Sequence, residues 1–186
     1  MSKASLHDGE PSVHALFMQR AIALARASVL QGGGPFGAVV VDPTGQRVVG
    51  IPGLAEALET TPFGTIVSRG QNRVVPCCDP TAHAEIVAIR AAAVALADHS
   101  LHGLHLYTSC EPCPMCLAAI LWARVDRIVY ACTREDAAAI GFDDQHFYDE
   151  VAKPIASREI PMVELQRVEG LEAFQAWSQF TDRRAY

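Results

Sequence analysis

No stretch of this sequence is both apolar and long enough to span a bilayer, and the N-terminus, MSKASLHDGEPSVH, lacks the apolar run behind basic residues that marks a secretory signal. A membrane role is not expected, and the chain reads as cytoplasmic. Basic residues are also too few for a polyanionic partner. The 15 Lys and Arg stand against 21 Asp and Glu, a net charge of −6, whereas a nucleic-acid surface needs a dense cationic patch. A small molecule fits the charge better. Internal repeats and low-complexity tracts are absent, and half of the residues are hydrophobic, as in an ordinary folded protein. A length of 186 residues suits one well-buried core, so a single domain over residues 1–186 is expected. Six cysteines would allow three disulfides, but those at 110, 113 and 116 are too close together for ordinary bridges. Metal-binding or structural thiols are the expectation.

Apolar residues recur at helical spacing through Val13, Leu16, Phe17, Ala21 and Leu24, predicting an amphipathic helix to Leu30 that Gly32, Gly33 and Gly34 end. The runs Ala38–Val41 and Val48–Ile51, joined by Asp42-Pro43-Thr44-Gly45, read as a hairpin. Residues 52–64 hold Pro52, Gly53 and Pro62 around the helix-like LAEALE and read as an insertion on the sheet rim. After a short strand near Ile66 and Val67, the Ala-rich segment 81–97 predicts a mostly buried helix. Strands at 104–108 and 127–131 bracket a second buried helix over 113–123, the alternation of a parallel α/β segment. Beyond Gly141 follow a helix-like FYDEV, a candidate strand at 162–168 and a last helix through Phe174 and Trp177.

The chemistry concentrates in DPTAHAE at 79–85 and TSCEPCPMC at 108–116, each where a loop or strand enters a helix. A helix start offers free N–H groups and partial positive charge, which favour the thiolate that a metal needs. Cys113 and Cys116, three residues apart, can share one ion, and His83 supplies a third ligand. Three ligands leave a tetrahedral zinc one open position, the mark of a catalytic site. Such an ion acidifies water from about 9 toward about 7. Glu85, two residues from the histidine, is the natural proton carrier. His83-Ala84-Glu85 and Pro112-Cys113-Pro114-Met115-Cys116 together match the signature of zinc nucleobase deaminases. The rival is a closed structural knot that adds Cys110 as fourth ligand. Glu85 has no use in such a knot. Cys110 then reads as a buried strand-end thiol, with Cys77, Cys78 and Cys132 similar.

These motifs resemble the cytidine deaminase superfamily, and the order GGPFGAVVV, GQN, DPTAHAE, TSCEPCPMC, GFDD, FQAW and a terminal tyrosine is similar to that of bacterial guanine deaminases. The resemblance covers nearly the whole chain. It implies an α/β fold with a central mixed five-stranded sheet between helix layers, one Zn²⁺ per chain, and hydrolysis of guanine to xanthine and ammonia. By matching position, Asn72 would bond the purine edge, Phe36, Ala84 and Trp122 would contact the base, and Asp144 would read its N1–H and amino edge and help move protons. It also implies a homodimer with a swapped C-terminal segment whose Tyr186 covers the neighbour's pocket. Residues 1–11 and 52–64 are surplus to that family. Rival substrates are cytosine, guanosine and the aminotriazine ammeline. Editing of tRNA adenosine would call for a basic C-terminal helix, and a zinc-stabilised binding module would have no need of Glu85.

Overall fold

The computed structural model describes residues 11–47 and 58–185. The amphipathic N-terminal segment forms helix α1, Pro11–Leu30, and Gly32 ends it with a φ of 80°. Five strands follow along the chain: β1 Gly37–Asp42, β2 Glu59–Thr61, β3 Gly64–Gln71, β4 His105–Cys110 and β5 Arg127–Cys132. They form a mixed sheet ordered β2-β3-β1-β4-β5, antiparallel except between β4 and β5. A parallel pair needs a crossover, and helix α4, Pro114–Trp122, lies in it.

Strand β1 is central and buried on both faces, so its sequence GAVVVD is apolar without alternation. Val39 and Val41 face α1 together with Ile66 and Tyr107, and Phe17 and Ala21 fill that side of the core. Ala38, Val40 and Leu106 face the other way, toward helix α3, Ala84–Leu96, and Ile120 of α4. The fold is therefore three layers, α/β/α. Two glycines set the layer spacing. A Cβ on Gly37 would stand 2.4 Å from the Ala21 carbonyl oxygen, and one on Gly70 would stand 1.9 Å from that of Ala84. Each absence lets a helix backbone rest directly on the sheet. His14 Nδ1 and the Tyr107 hydroxyl, 2.8 Å apart and buried, tie α1 to β4.

Further helices are α2 Val74–Cys77, α5 Arg134–Ala139, α6 Asp144–Ala152 and α7 Arg167–Gln179. Several expectations change. The second arm of the expected hairpin, Val48–Ile51, lies outside the described residues, as does most of LAEALE, whose Glu59 begins β2. The strand expected at 66–67 runs over eight residues, because the Ser68 hydroxyl donates to the Ala88 carbonyl at 2.7 Å and Gly70 admits α3, so neither interrupts the ladder. No strand forms at 162–168. Exposed chain there joins no ladder among the described residues, and α7 begins at Arg167. Helix α4 is buried on one side only, with Leu121 and Trp122 exposed.

Candidate active site and metal centre

Both motifs open helices, as their sequence spacing demands. His83 is the N-cap of α3 and Cys113 the N-cap of α4, with Pro114 in the first turn, where its missing N–H costs nothing. The two helix starts bring His83, Cys113 and Cys116 together, with their ligand atoms all within 4.8 Å of one another. His83 Nδ1 lies 3.6 Å from Cys113 Sγ and 3.5 Å from Cys116 Sγ. Bonds of about 2.3 Å to sulfur and about 2.0 Å to nitrogen at a tetrahedral angle put donors about 3.5 Å apart, so the trio fits zinc. Cys110, the expected rival ligand, is turned away, its thiol donating to the Thr133 carbonyl at 3.5 Å. Among the described residues the group of candidate ligands holds three, and they form no closed four-ligand knot.

The protonation pattern is that of a coupled cluster. The Cys116 thiol donates to Cys113, and with the His83 contact this brings Cys113 down to about 4. Cys116, which carries that proton in a buried place, is pushed far up. The Cys113 sulfur raises His83. A dication held by His83, Cys113 and Cys116 would reverse this order by drawing both sulfurs to the thiolate. Glu85, in the first turn of α3, is 5% exposed. Burial raises its pKa despite the Thr108 hydroxyl, which donates to Oε1 at 3.0 Å. The other carboxyl oxygen, Oε2, lies 3.5 Å from Cys116 Sγ. A carboxyl raised toward neutrality beside a metal site is what a proton carrier requires.

A cleft of about 210 Å³ opens over His83, Glu85 and Cys113. Asn72, Phe36 and Asp144 all line it, as expected. Asn72 is held by its oxygen, since Oδ1 accepts from the backbone N–H groups of Gly34 at 3.2 Å and Val74 at 3.3 Å. Its Nδ2 is thereby left as a donor. Asp144 begins α6, where burial and then the Cys113 charge raise its pKa.

Ala84 and Trp122, also expected at the base, stand apart from the cleft. Ala84 is fully buried, its carbonyl packed beneath Gly70, and it lies outside the cleft lining. Trp122 is 61% exposed at the far end of α4, about 13 Å of helix from Cys113, beside Phe174 and Trp177. Tyr186 lies outside the described residues. Cys77, Cys78 and Cys132 are exposed, whereas Cys110 is buried at the end of β4, its thiol pushed up to about 12 by burial.

Six lining residues were not anticipated: Gly34, Cys110, Glu111, Phe142, Val74 and Val75. Glu111 sits inside TSCEPCPMC and Phe142 inside GFDD, so the motifs marked the places and left the roles open. Phe142 meets Phe36 edge to face at 4.8 Å, making one apolar wall. Val74 and Val75 carry no sequence signal, because α2 is too short for periodicity to reveal.

The fold and site have known counterparts. The chain is 44% identical to guanine deaminase of Bacillus subtilis (strain 168) over 174 residues, 93% of this chain and 99% of that protein. The X-ray structure of a Bacillus subtilis guanine deaminase superposes with a TM-score of 0.79, at 44% identity, covering 93% of this chain and 98% of the other. A structure of guanine deaminase from Nitrosomonas europaea gives a TM-score of 0.58 at 27% identity, covering 93% and 84%. The family model for the cytidine and deoxycytidylate deaminase zinc-binding region matches residues 11–132. That match takes in well over half of the sequence and all three ligands, and the chain therefore belongs to the cytidine and deoxycytidylate deaminase family of zinc-dependent hydrolytic deaminases.

Proposed function

We propose that the substrate is free guanine and the products are xanthine and ammonia. The reading rests on the sharing of one small cleft by Asp144, Asn72 and Glu85. Guanine presents two adjacent donors, N1–H and the 2-amino group, which suit an acceptor at Asp144, whereas cytosine and adenine place an acceptor beside their amino donor. The Asn72 Nδ2 donor suits an acceptor on the purine edge, and Phe36 with Phe142 suits its face. A volume below the roughly 300–1,000 Å³ of drug-sized sites favours a free base over a nucleoside or a polymer. Similarity to two proteins named guanine deaminase supports the same reading.

Zinc held by His83, Cys113 and Cys116 supplies the Lewis acidity that makes water nucleophilic at neutral pH. Glu85 takes a proton from the water as its oxygen bonds to C2, and gives that proton to ring N3. It then carries the second proton to the 2-amino group, assisted by Asp144. Ammonia leaves, and the oxygen remains as the C2 carbonyl of xanthine. Thr108 keeps Glu85 in place during both transfers through its bond to Oε1.

The chain is further read as a homodimer exchanging its C-terminal segment. Every residue of α7 except Leu171 is exposed, including Phe174 and Trp177, and Trp122 and Tyr130 are exposed too. An apolar surface of this extent calls for a partner. In that arrangement Tyr186 covers the neighbour's cleft. Purified protein assayed for ammonia release on guanine, guanosine, cytosine, adenine and ammeline tests the substrate. Guanine is expected to give the highest kcat/KM, and a higher value on any other base refutes the assignment.

A further inference from the structure

Three segments that carry no reacting atom meet beside the metal loop. Arg134, the first residue of α5, directs Nε and Nη2 at the Glu111 carboxylate, with Nε 3.1 Å from Oε1. Its backbone N–H donates to Glu111 Oε2 at 3.1 Å, and the Glu111 N–H donates to the Cys132 carbonyl at 2.9 Å. The other side of the guanidinium lies 4.1 Å from the ring centroid of Tyr148, on α6. The Tyr148 hydroxyl closes the ring by donating to the Pro112 carbonyl at 2.8 Å. Thr133 and Asp136 fix the start of α5 with a reciprocal capping box, so Arg134 leaves a rigid turn.

The consequence lies at the two ends of this ring. Pro112 precedes the ligand Cys113. Tyr148 stands one helical turn from Asp144, on the same side of α6. We propose that Arg134 and Tyr148 are positioning residues: they clamp the Glu111–Pro112 segment to α6, fixing the Cys113 ligand and Asp144 relative to each other. Lysine cannot take the place of Arg134, because an ammonium has neither the two-pronged carboxylate fork nor a flat face to stack on tyrosine. The catalytic half of the proposal rests on the guanine reading, and the metal half does not.

The test measures zinc affinity by competition with a chromophoric chelator, and kcat and KM for ammonia release, in wild type, Arg134→Ala, Arg134→Lys and Tyr148→Phe. Groups that orient metal ligands are typically worth about 10–100-fold, and Arg134→Ala is expected to lose that much in zinc affinity, in kcat, or in both. KM is expected to rise alongside that loss, since Asp144 also meets the base, Arg134→Lys is expected not to restore the loss, and Tyr148→Phe to show a smaller one. Zinc affinity and kcat both within about threefold of wild type in Arg134→Ala, a rise in KM alone, or full restoration by lysine overturns the proposal. Should Arg134→Ala fail to fold, Tyr148→Phe decides by the same threshold. A wild-type protein that releases no ammonia from guanine sinks the substrate reading, and the zinc measurement then decides the clamp alone.

Discussion

Replacing Glu85 by glutamine keeps the volume and shape of the side chain while removing its capacity to carry a proton. The structure allows the consequences to be separated. Glutamine can still accept the Thr108 hydroxyl through its oxygen, so the side chain should stay in place 3.0 Å from Thr108 Oγ1. The three zinc ligands are untouched, and metal content should not change. Burial of an ionisable carboxyl at 5% exposure is itself unfavourable, since it pushes the pKa up, so the neutral amide should leave stability equal or raised. Turnover alone should collapse. A positioned general acid–base contributes about 10²–10⁴ in rate, a barrier of about 2.7–5.5 kcal/mol, and Glu85 serves in two transfers, which places the loss at the upper end. The assay is ammonia release under saturating guanine, with zinc measured on the same preparation and melting temperature recorded beside it. A Glu85→Gln protein with zinc bound and kcat within about tenfold of wild type would refute the proton-carrier role.

Asn72→Asp retains the oxygen that accepts from Gly34 and Val74 but loses the Nδ2 donor, so KM for guanine should rise by about 10–100-fold, with some loss of stability from the carboxyl placed at a buried position. Wild-type KM in that variant would remove Asn72 from base recognition. Asp42, 2% exposed, is pushed up by burial but more than compensated by donors from Arg47 and Thr44, so its pKa ends below the ordinary 3.8. A carboxylate lowered on folding stabilises fully above 3.8, and that contribution disappears as pH falls through the lower folded value. Asp42→Asn, which turns a donor toward the Arg47 N–H, should cost about 1–3 kcal/mol at pH 7 in urea unfolding, with the gap to wild type narrowing at pH 3. A gap that widens in acid would contradict the sign. Trp177→Glu places a charge in the exposed apolar C-terminal surface and should shift the protein toward monomer in light scattering, whereas an unchanged dimer would put the interface elsewhere.

The sequence determined by itself whatever depends on local order along the chain. His83 and Glu85 two residues apart, Cys113 and Cys116 three apart, and a helix start under each pair are fixed by spacing and by prolines, so the grouping of the candidate ligands with a carboxyl was legible before any contact was known. The β-branched run Ala38–Val41 likewise announced strand β1, whereas its burial on both faces came only with the packing of helices on the sheet. Tertiary structure decided what depends on which segments meet. Cys110 shares a motif with the ligands yet turns to Thr133, because it ends a strand instead of starting a helix. Trp122 follows the ligands in sequence, but nine residues of helix carry it away from the cleft. The ring of Glu111, Arg134 and Tyr148 joins side chains whose residues are 23 and 14 or more positions apart, and no periodicity encodes such a meeting. Spacing fixes a direction only within one regular element; between elements, the packing of helices on the sheet sets it.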